Sequence, residues 1–307
     1  MKKEIGIVGL GKMGANMARR MIEKEWKVVG MDVIPEAAEA LRSEGVSPVG
    51  NYKEMAEALS APRLVWLFVP SSQEGPVNDA LFGEGGILEN FSAGDLVIDG
   101  GNSFFKLAKG RAEKLTAKGI HYMDIGTSGG PQGARNGACL MIGGAREDFE
   151  RAEEFFRDFA QEGGYAHVGP VGAGHFVKMV HNGIEYGMMQ AIGEGFDIMH
   201  ASEFHPDLEE VARIYNHGSV IESRLVGWLY NALRKHGTDL EGIATKIGHS
   251  GEGKWTAETA KEMGIDAAII EESYRIRVGS SEHPTYAGKV VNALRNQFGG
   301  HQDALQK

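Results

Sequence analysis

Ile5-Gly6-Ile7-Val8-Gly9-Leu10-Gly11-Lys12-Met13-Gly14-Ala15-Asn16-Met17-Ala18 decides the fold of this chain. A short apolar strand, Ile5 to Val8, runs into a GxGxxG loop, and a helical pattern opens directly after it. Glycine permits the tight turn and lets the backbone approach a pyrophosphate, whose charge a helix N-terminus stabilises. A ligand-free glycine turn could use the same residues, but strand, loop and helix in that order lift the motif above a chance match. Gly9, Leu10, Gly11, Lys12, Met13 and Gly14 are therefore expected to hold a dinucleotide.

Outward from the loop, the next apolar run ends at Gly30-Met31-Asp32. Asp32 lies about 20 residues beyond the glycines, where a carboxylate would accept hydrogen bonds from the adenosine ribose hydroxyls. The same carboxylate repels a 2′-phosphate, and Val33-Ile34-Pro35-Glu36 contains no Arg or Lys to attract one. NAD is expected as the cofactor, with NADP disfavoured. The alternative role for Asp32 is a turn or helix-capping residue before Pro35.

The first 170 residues alternate short apolar runs with amphipathic stretches, the pattern of strands and crossover helices in a parallel sheet. Strands are expected at Ile5 to Val8, Lys27 to Met31, Leu64 to Val69, Leu96 to Ile98 and Tyr122 to Ile125. Helices are expected at Ala15 to Glu25, Glu36 to Ser43, Tyr52 to Ala58 and Lys106 to Lys118. After Gly172 apolar residues recur at helical spacing and β-branched clusters thin out. A long helix is expected from about Gly174 to Ala201, ending before Phe204-His205-Pro206. The chain thus reads as α/β, with an N-terminal Rossmann-type doubly wound sheet (1–170) and a C-terminal all-helical domain (171–307).

Composition narrows the partners. The 307 residues hold 32 Lys plus Arg against 42 Asp plus Glu, a formal net charge of −10. Nucleic acid and anionic membranes attract clustered basic residues, so neither is expected as a partner. The one cysteine, Cys139, cannot form an internal disulfide, and no Cys/His grouping has metal-site spacing. No signal-peptide core or membrane span is evident, so a cytoplasmic protein is expected. Cys139 sits in the apolar run Ala138-Cys139-Leu140-Met141-Ile142 and is expected to be a buried small residue.

The richest stretch is Gly172-Ala173-Gly174-His175-Phe176-Val177-Lys178-Met179-Val180-His181-Asn182-Gly183-Ile184-Glu185-Tyr186. On a helix, Lys178, His181, Asn182 and Glu185 fall at i, i+3, i+4 and i+7 and share one face. A solvated polar face is the plain reading. The glycines at 172, 174, 183 and 187 argue for more, because they let other segments approach closely. A lysine base needs its pKa lowered and a glutamate acid needs the opposite. Such a pair suits removal of a hydroxyl proton with hydride loss, followed by protonation at carbon.

Taken together, several motifs resemble those of the 6-phosphogluconate dehydrogenases, and in particular the short, NAD-type branch of the β-hydroxyacid dehydrogenase superfamily. They are Gly9 to Gly14, Asp99-Gly100-Gly101-Asn102-Ser103, Thr127-Ser128-Gly129-Gly130, Gly133-Ala134-Arg135, His175 to Tyr186, Gly251-Glu252-Gly253-Lys254-Trp255-Thr256, and Arg295 with Phe298-Gly299-Gly300-His301. The resemblance implies an oxidative decarboxylation of 6-phospho-D-gluconate to ribulose 5-phosphate, in the pentose phosphate pathway or gluconate utilisation. It makes Lys178 the base toward the C3 hydroxyl and Glu185 the acid that protonates the enediol at C1. Asn182 completes the catalytic group and, with His181, binds substrate hydroxyls. Asn102 is placed at the junction of nicotinamide and substrate, Ser128, Gly129 and Gly130 around the substrate carboxylate, and Met13 and Val69 on the cofactor.

For the phosphate, the resemblance implicates Tyr186, Arg277, and, from a second copy of the chain, Arg295 and His301. A homodimer or homotetramer sharing the substrate site through its C-terminal segment follows from that habit. One departure stands out: longer relatives place a lysine and a threonine where this chain has Ser250 and Glu252. A glutamate beside a phosphate repels it unless it turns away or pairs with Lys254. An NAD-dependent β-hydroxyacid dehydrogenase for a small unphosphorylated 3-hydroxy acid is the alternative. A binding protein without turnover has no use for Lys178 and Glu185 on one face.

Overall fold

The computed structural model describes residues 2–70, 75–249, 251–300 and 304–305. Two compact units, Met1–Met179 and Val180–Lys307, divide the chain. In the first, strands and helices alternate: β1 (Glu4–Val8), α1 (Lys12–Glu23), β2 (Lys27–Met31), α2 (Pro35–Glu39), β3 (Val46–Pro48), α3 (Tyr52–Ala58) and β4 (Leu64–Leu67). There follow α4 (Gly75–Phe82), α5 (Ile87–Asn90), β5 (Leu96–Asp99), α6 (Ala108–Thr116), β6 (His121–Ser128), α7 (Gly130–Asn136), β7 (Ala138–Gly143), α8 (Arg146–Phe159) and β8 (Ala160–Gly169).

The eight strands form one sheet in the order β3-β2-β1-β4-β5-β6-β7-β8. From β3 to β6 every pair is parallel; β7 runs antiparallel to β6, and β8 parallel to β7. The chain order reverses beside β1, the switch point at which such sheets bind nucleotides outside the carboxyl ends of their strands. Alternate residues of one strand enter opposite cores. Ile7, Trp66 and Ile98 pack on one side with Phe155 and Phe159, and Val8, Val65, Leu67 and Val97 on the other with Met55 and Leu81. Apolar cover on both faces explains why Leu64 to Leu67 shows no polar alternation.

The sheet departs from expectation at several points, β6 for one running His121–Ser128 rather than Tyr122 to Ile125. β4 stops at Leu67, leaving Phe68 and Val69 beyond it. β3, β7 and β8 add strands that the reading did not include, and β7 makes the sheet mixed. Cys139, expected to be buried, is exposed. It is the second residue of β7, opposite Ser128 at the end of β6, between buried Ala138 and Leu140.

A long helix, α9 (Ala173–His200), begins within the first unit and continues into the second, which is otherwise α10 (Leu208–Tyr215), α11 (Arg224–His236), α12 (Glu252–Glu262), α13 (Ala268–Gly279) and α14 (Tyr286–Gly299). The helical core gathers Met189, Phe196, Leu229, Leu233, Val290 and Leu294. Among the described residues no helix is long and apolar enough to cross a membrane.

Candidate active site

The glycine loop is a cradle that side chains would fill. Gly9 has φ 89°, and a Cβ there would overlap the carbonyl of Phe68 and come within 3.3 Å of the Val69 nitrogen. A Cβ at Gly14 would overlap the Gly9 carbonyl oxygen, whereas at Gly11 it would meet nothing within 4 Å. Gly11 caps α1 without a side-chain hydrogen bond, and no acidic residue lies in the first turn. The backbone N–H groups there suit an anionic pyrophosphate. The residues present therefore fit a dinucleotide, and Val69 lies beside the loop.

Asp32 sits just past β2, half-buried. Its Oδ2 accepts the Leu10 N–H at 2.6 Å and its Oδ1 accepts the Ile34 N–H at 2.9 Å. Asp32 is thus the turn residue considered above, and it also bonds the glycine loop. Each oxygen retains a lone pair for a hydroxyl. Val33 and Ile34 are 90% and 60% exposed, so the strip after Asp32 is apolar and uncharged.

Asn102 is exposed on the loop after β5. β6 ends at Ser128, and Gly129 (φ 115°) and Gly130 (φ 60°) take backbone conformations that favour glycine as the chain turns into α7. Their half-buried turn opens a helix N-terminus.

The start of α9 is pressed against β6 and β7. A Cβ at Gly126 would overlap the Lys178 side chain and lie 2.8 Å from the Gly174 oxygen. One at Gly174 would overlap the Asp124 oxygen and lie 2.6 Å from that of Met141. Buried Asp124 accepts the Gly172 and His175 N–H groups at 2.6 and 2.8 Å, capping the helix. Backbone contact and cap together fix the turn that carries Lys178. Lys178, His181, Asn182 and Glu185 are all half-buried, while Ile184 on the same helix is exposed. That pattern is the reverse of a solvated polar face.

In the helical unit, His181 Nδ1 lies 2.9 Å from Asn182 Oδ1 and 3.9 Å from Glu185 Oε2. Tyr186 is buried beneath Arg277, whose Cζ lies 3.4 Å from the ring centroid. Arg277 is 4% exposed, contacts the Met189 sulfur at 3.5 Å and makes no ion pair among the described residues. Burial pulls its guanidinium down to about 10. Burial also raises the Tyr186 phenol, which Arg277 and Arg295 pull down and Glu252 and Glu185 push up.

Buried Arg295 bonds Asn292 Oδ1 at 2.9 Å; expected from a second copy, it reaches the electrostatic neighbourhood of Tyr186 and Arg277 in its own chain. Glu252 is buried at the start of α12. Lys254 pairs with Glu258 at 3.6 Å. Ser250 and His301 lie outside the described residues.

The sequence reading gave no role to four groups found here. Asp99 and Asp124 are fully buried acids, His175 is buried beside them, and His249 lies near Arg277 and Arg295, its pKa lowered first by burial and then by those charges. The signal for the acids was available: an Asp closing or interrupting an apolar strand is buried with the strand and needs partners.

Comparisons with known proteins agree with this architecture. Residues 4–172 match the NAD binding domain of 6-phosphogluconate dehydrogenase, and residues 174–303 match the 6-phosphogluconate dehydrogenase C-terminal domain. A Bacillus subtilis protein provisionally named a 6-phosphogluconate dehydrogenase is 46% identical over 97% of this chain and 98% of its own length. The NAD(+)-dependent, decarboxylating 6-phosphogluconate dehydrogenase of Haloferax volcanii is 35% identical over 98% of both chains. The Plasmodium falciparum 6-phosphogluconate dehydrogenase, solved in its apo form, with NADP+ and with 6-phosphogluconate, superposes with a TM-score of 0.80 at 29% identity, covering 95% of this chain and 70% of that one. With both units matched in order along nearly the whole length, the chain belongs to the 6-phosphogluconate dehydrogenase family.

Proposed function

We propose that this chain oxidises and decarboxylates 6-phospho-D-gluconate to ribulose 5-phosphate and CO2, with NAD as the preferred cofactor. Arg277 carries the reading. It is a buried guanidinium stacked on Tyr186 with no ion pair among the described residues, and a cation so desolvated is matched by a phosphate group. Arg295 adds a second buried positive charge. NAD is favoured by Asp32 and the uncharged Val33 and Ile34, and the Haloferax relative is named for that cofactor.

When bound, the dinucleotide supplies the hydride acceptor. Lys178 takes the C3 hydroxyl proton as the C3 hydrogen leaves with its electron pair. The resulting 3-keto acid loses CO2 because the ketone accepts the electrons of the breaking C–C bond. Glu185 then delivers a proton to C1 of the enediol. Ser128, Gly129 and Gly130 orient the substrate carboxylate, and Asn102, His181 and Asn182 bond its hydroxyls. The α9 spacing places Lys178 and Glu185 two turns apart on one helical face.

Buried Glu252, whose charge is felt at Tyr186, favours a second reading: a dehydrogenase for a small unphosphorylated 3-hydroxy acid. One assay separates them. The protein is given 6-phosphogluconate with NAD or NADP, and reduced cofactor and CO2 are followed together. Equal yields of both support the proposal, and reduced cofactor without CO2 ends it. A second copy completing the site through residues beyond Gly300 is a further part of the proposal. Deleting that segment should raise KM for substrate, and an unchanged KM would refute the sharing.

A further inference from the structure

Asp99 is a fully buried carboxylate with four side-chain neighbours on one oxygen. Ser103 Oγ donates to Oδ2 at 2.9 Å, Arg111 Nη1 at 2.9 Å and Tyr122 OH at 3.2 Å, and His175 Nε2 lies 3.3 Å away. Its other oxygen accepts the Gly101 N–H at 3.2 Å. Two of these contacts, from Ser103 and Gly101, fold the loop that carries Asn102 onto the end of its strand. The His175 contact comes from the first turn of α9, one turn before Lys178. His175 is held from its other side as well, since its backbone N–H donates to Asp124 Oδ2.

We propose that the buried His175–Asp99 ion pair is a positioning device: it ties the loop carrying Asn102 to the helical turn carrying Lys178. The inference rests on the roles proposed above for those two residues. His175 touches neither substrate nor cofactor in this scheme and acts through Lys178.

The charges facing the pair argue that the ring is an imidazolium. Asp99 from β5 and Asp124 from β6 bring two carboxylates, Arg111 from α6 brings one guanidinium, and Tyr122 from β6 stays a neutral phenol because burial and the two carboxylates raise its pKa. A protonated His175 balances this set, whereas a neutral ring leaves one uncompensated buried negative charge. Burial alone would lower the His175 pKa, but Asp99 and then Asp124 outweigh it and raise it above the ordinary imidazole value. Burial alone would raise the Asp99 pKa, and His175, Arg111 and Ser103 hold it down instead.

The test compares wild type, His175→Gln, Asp99→Asn and the double variant, each assayed with 6-phosphogluconate and NAD well below its own Tm. A tether to the catalytic turn predicts that His175→Gln lowers kcat by about tenfold to a hundredfold. KM for either substrate should move by less than about threefold, a split that general loosening of the fold would not produce. The double variant should lose no more than the worse single one, because the pair acts as a unit. NMR of wild type should find the His175 ring still protonated above the ordinary imidazole range, and Asp99→Asn should abolish that. A folded His175→Gln enzyme with wild-type kcat, multiplying losses in the double variant, or a neutral His175 ring at pH 7 overturns the tether. Absence of turnover in wild type overturns the proposed function instead.

Discussion

The guanidinium carbon of Arg277 lies over the ring of Tyr186, 3.4 Å from its centroid, with both residues buried. Arg277 makes no ion pair among the described residues, so removing it should cost the free protein little stability even though it harms binding. Arg277→Met is expected to raise KM for 6-phosphogluconate by about tenfold or more without lowering Tm, because a charge-assisted contact contributes about 1.5–3 kcal/mol. Steady-state kinetics and thermal unfolding in the absence of substrate check both halves.

Lys178 and Glu185 are expected to separate by the step each serves. Lys178→Met should abolish reduction of the cofactor. Glu185→Gln should still give a first burst of reduced cofactor but slow later turnover by about a hundredfold or more, the usual size of a general-acid contribution. Rapid-mixing kinetics distinguish them, and an equal loss of the burst in both would remove the distinction.

Glycines of α9 should respond oppositely to one added methyl group. At Gly195 a Cβ meets nothing within 4 Å, so Gly195→Ala should stabilise by about 0.5–1 kcal/mol through helix propensity. At Gly174 it would overlap the Asp124 carbonyl oxygen, so Gly174→Ala should destabilise by about 1–3 kcal/mol and depress kcat. Urea unfolding of the two variants compares them directly.

The His175–Asp99 pair predicts a pH signature in stability. The folded His175 pKa is raised, so its contribution is complete below the unfolded imidazole value and is lost as pH rises through the folded one. Asp99 is lowered, so its contribution is present at neutral pH and lost as pH falls through its folded value. Tm should therefore decline on the alkaline side of the ordinary imidazole range, and His175→Gln should flatten that limb. A variant with the same alkaline slope as wild type would contradict the assignment.

Much of this was legible in sequence because local rules dominated. Tyr52–Ala58 is helical as expected, with Asn51 accepting the Glu54 N–H as its cap, and α9 begins within a residue of its expected start. The strand-loop-helix unit at Val8 to Gly14 is equally local. What escaped depends on distant partners. β7 is a strand because β6 offers it an edge and β8 because β7 does, and Gly163 and Gly164 inside β8 hide its pattern. Asp99 and Asp124 look like ordinary polar breaks until Arg111, His175 and the end of α9 are brought to them. The placement of Arg277 on Tyr186 joins two helices far apart in the chain, which no periodicity of either reveals.

Asp32 binds the Leu10 N–H within the glycine loop, in addition to the ribose contact proposed for it, and this has a bearing on how cofactor preference could change. Asp32→Asn should raise KM for NAD by about tenfold while narrowing the preference over NADP, since a carboxylate repels a 2′-phosphate. Kinetics with both cofactors would detect an unchanged preference and refute the assignment. Loss of this acid to a side chain without an acceptor would also free the Leu10 amide of the glycine loop. A change of cofactor preference at this position is therefore constrained to side chains such as Asn, which removes the charge yet keeps an oxygen to accept the Leu10 N–H.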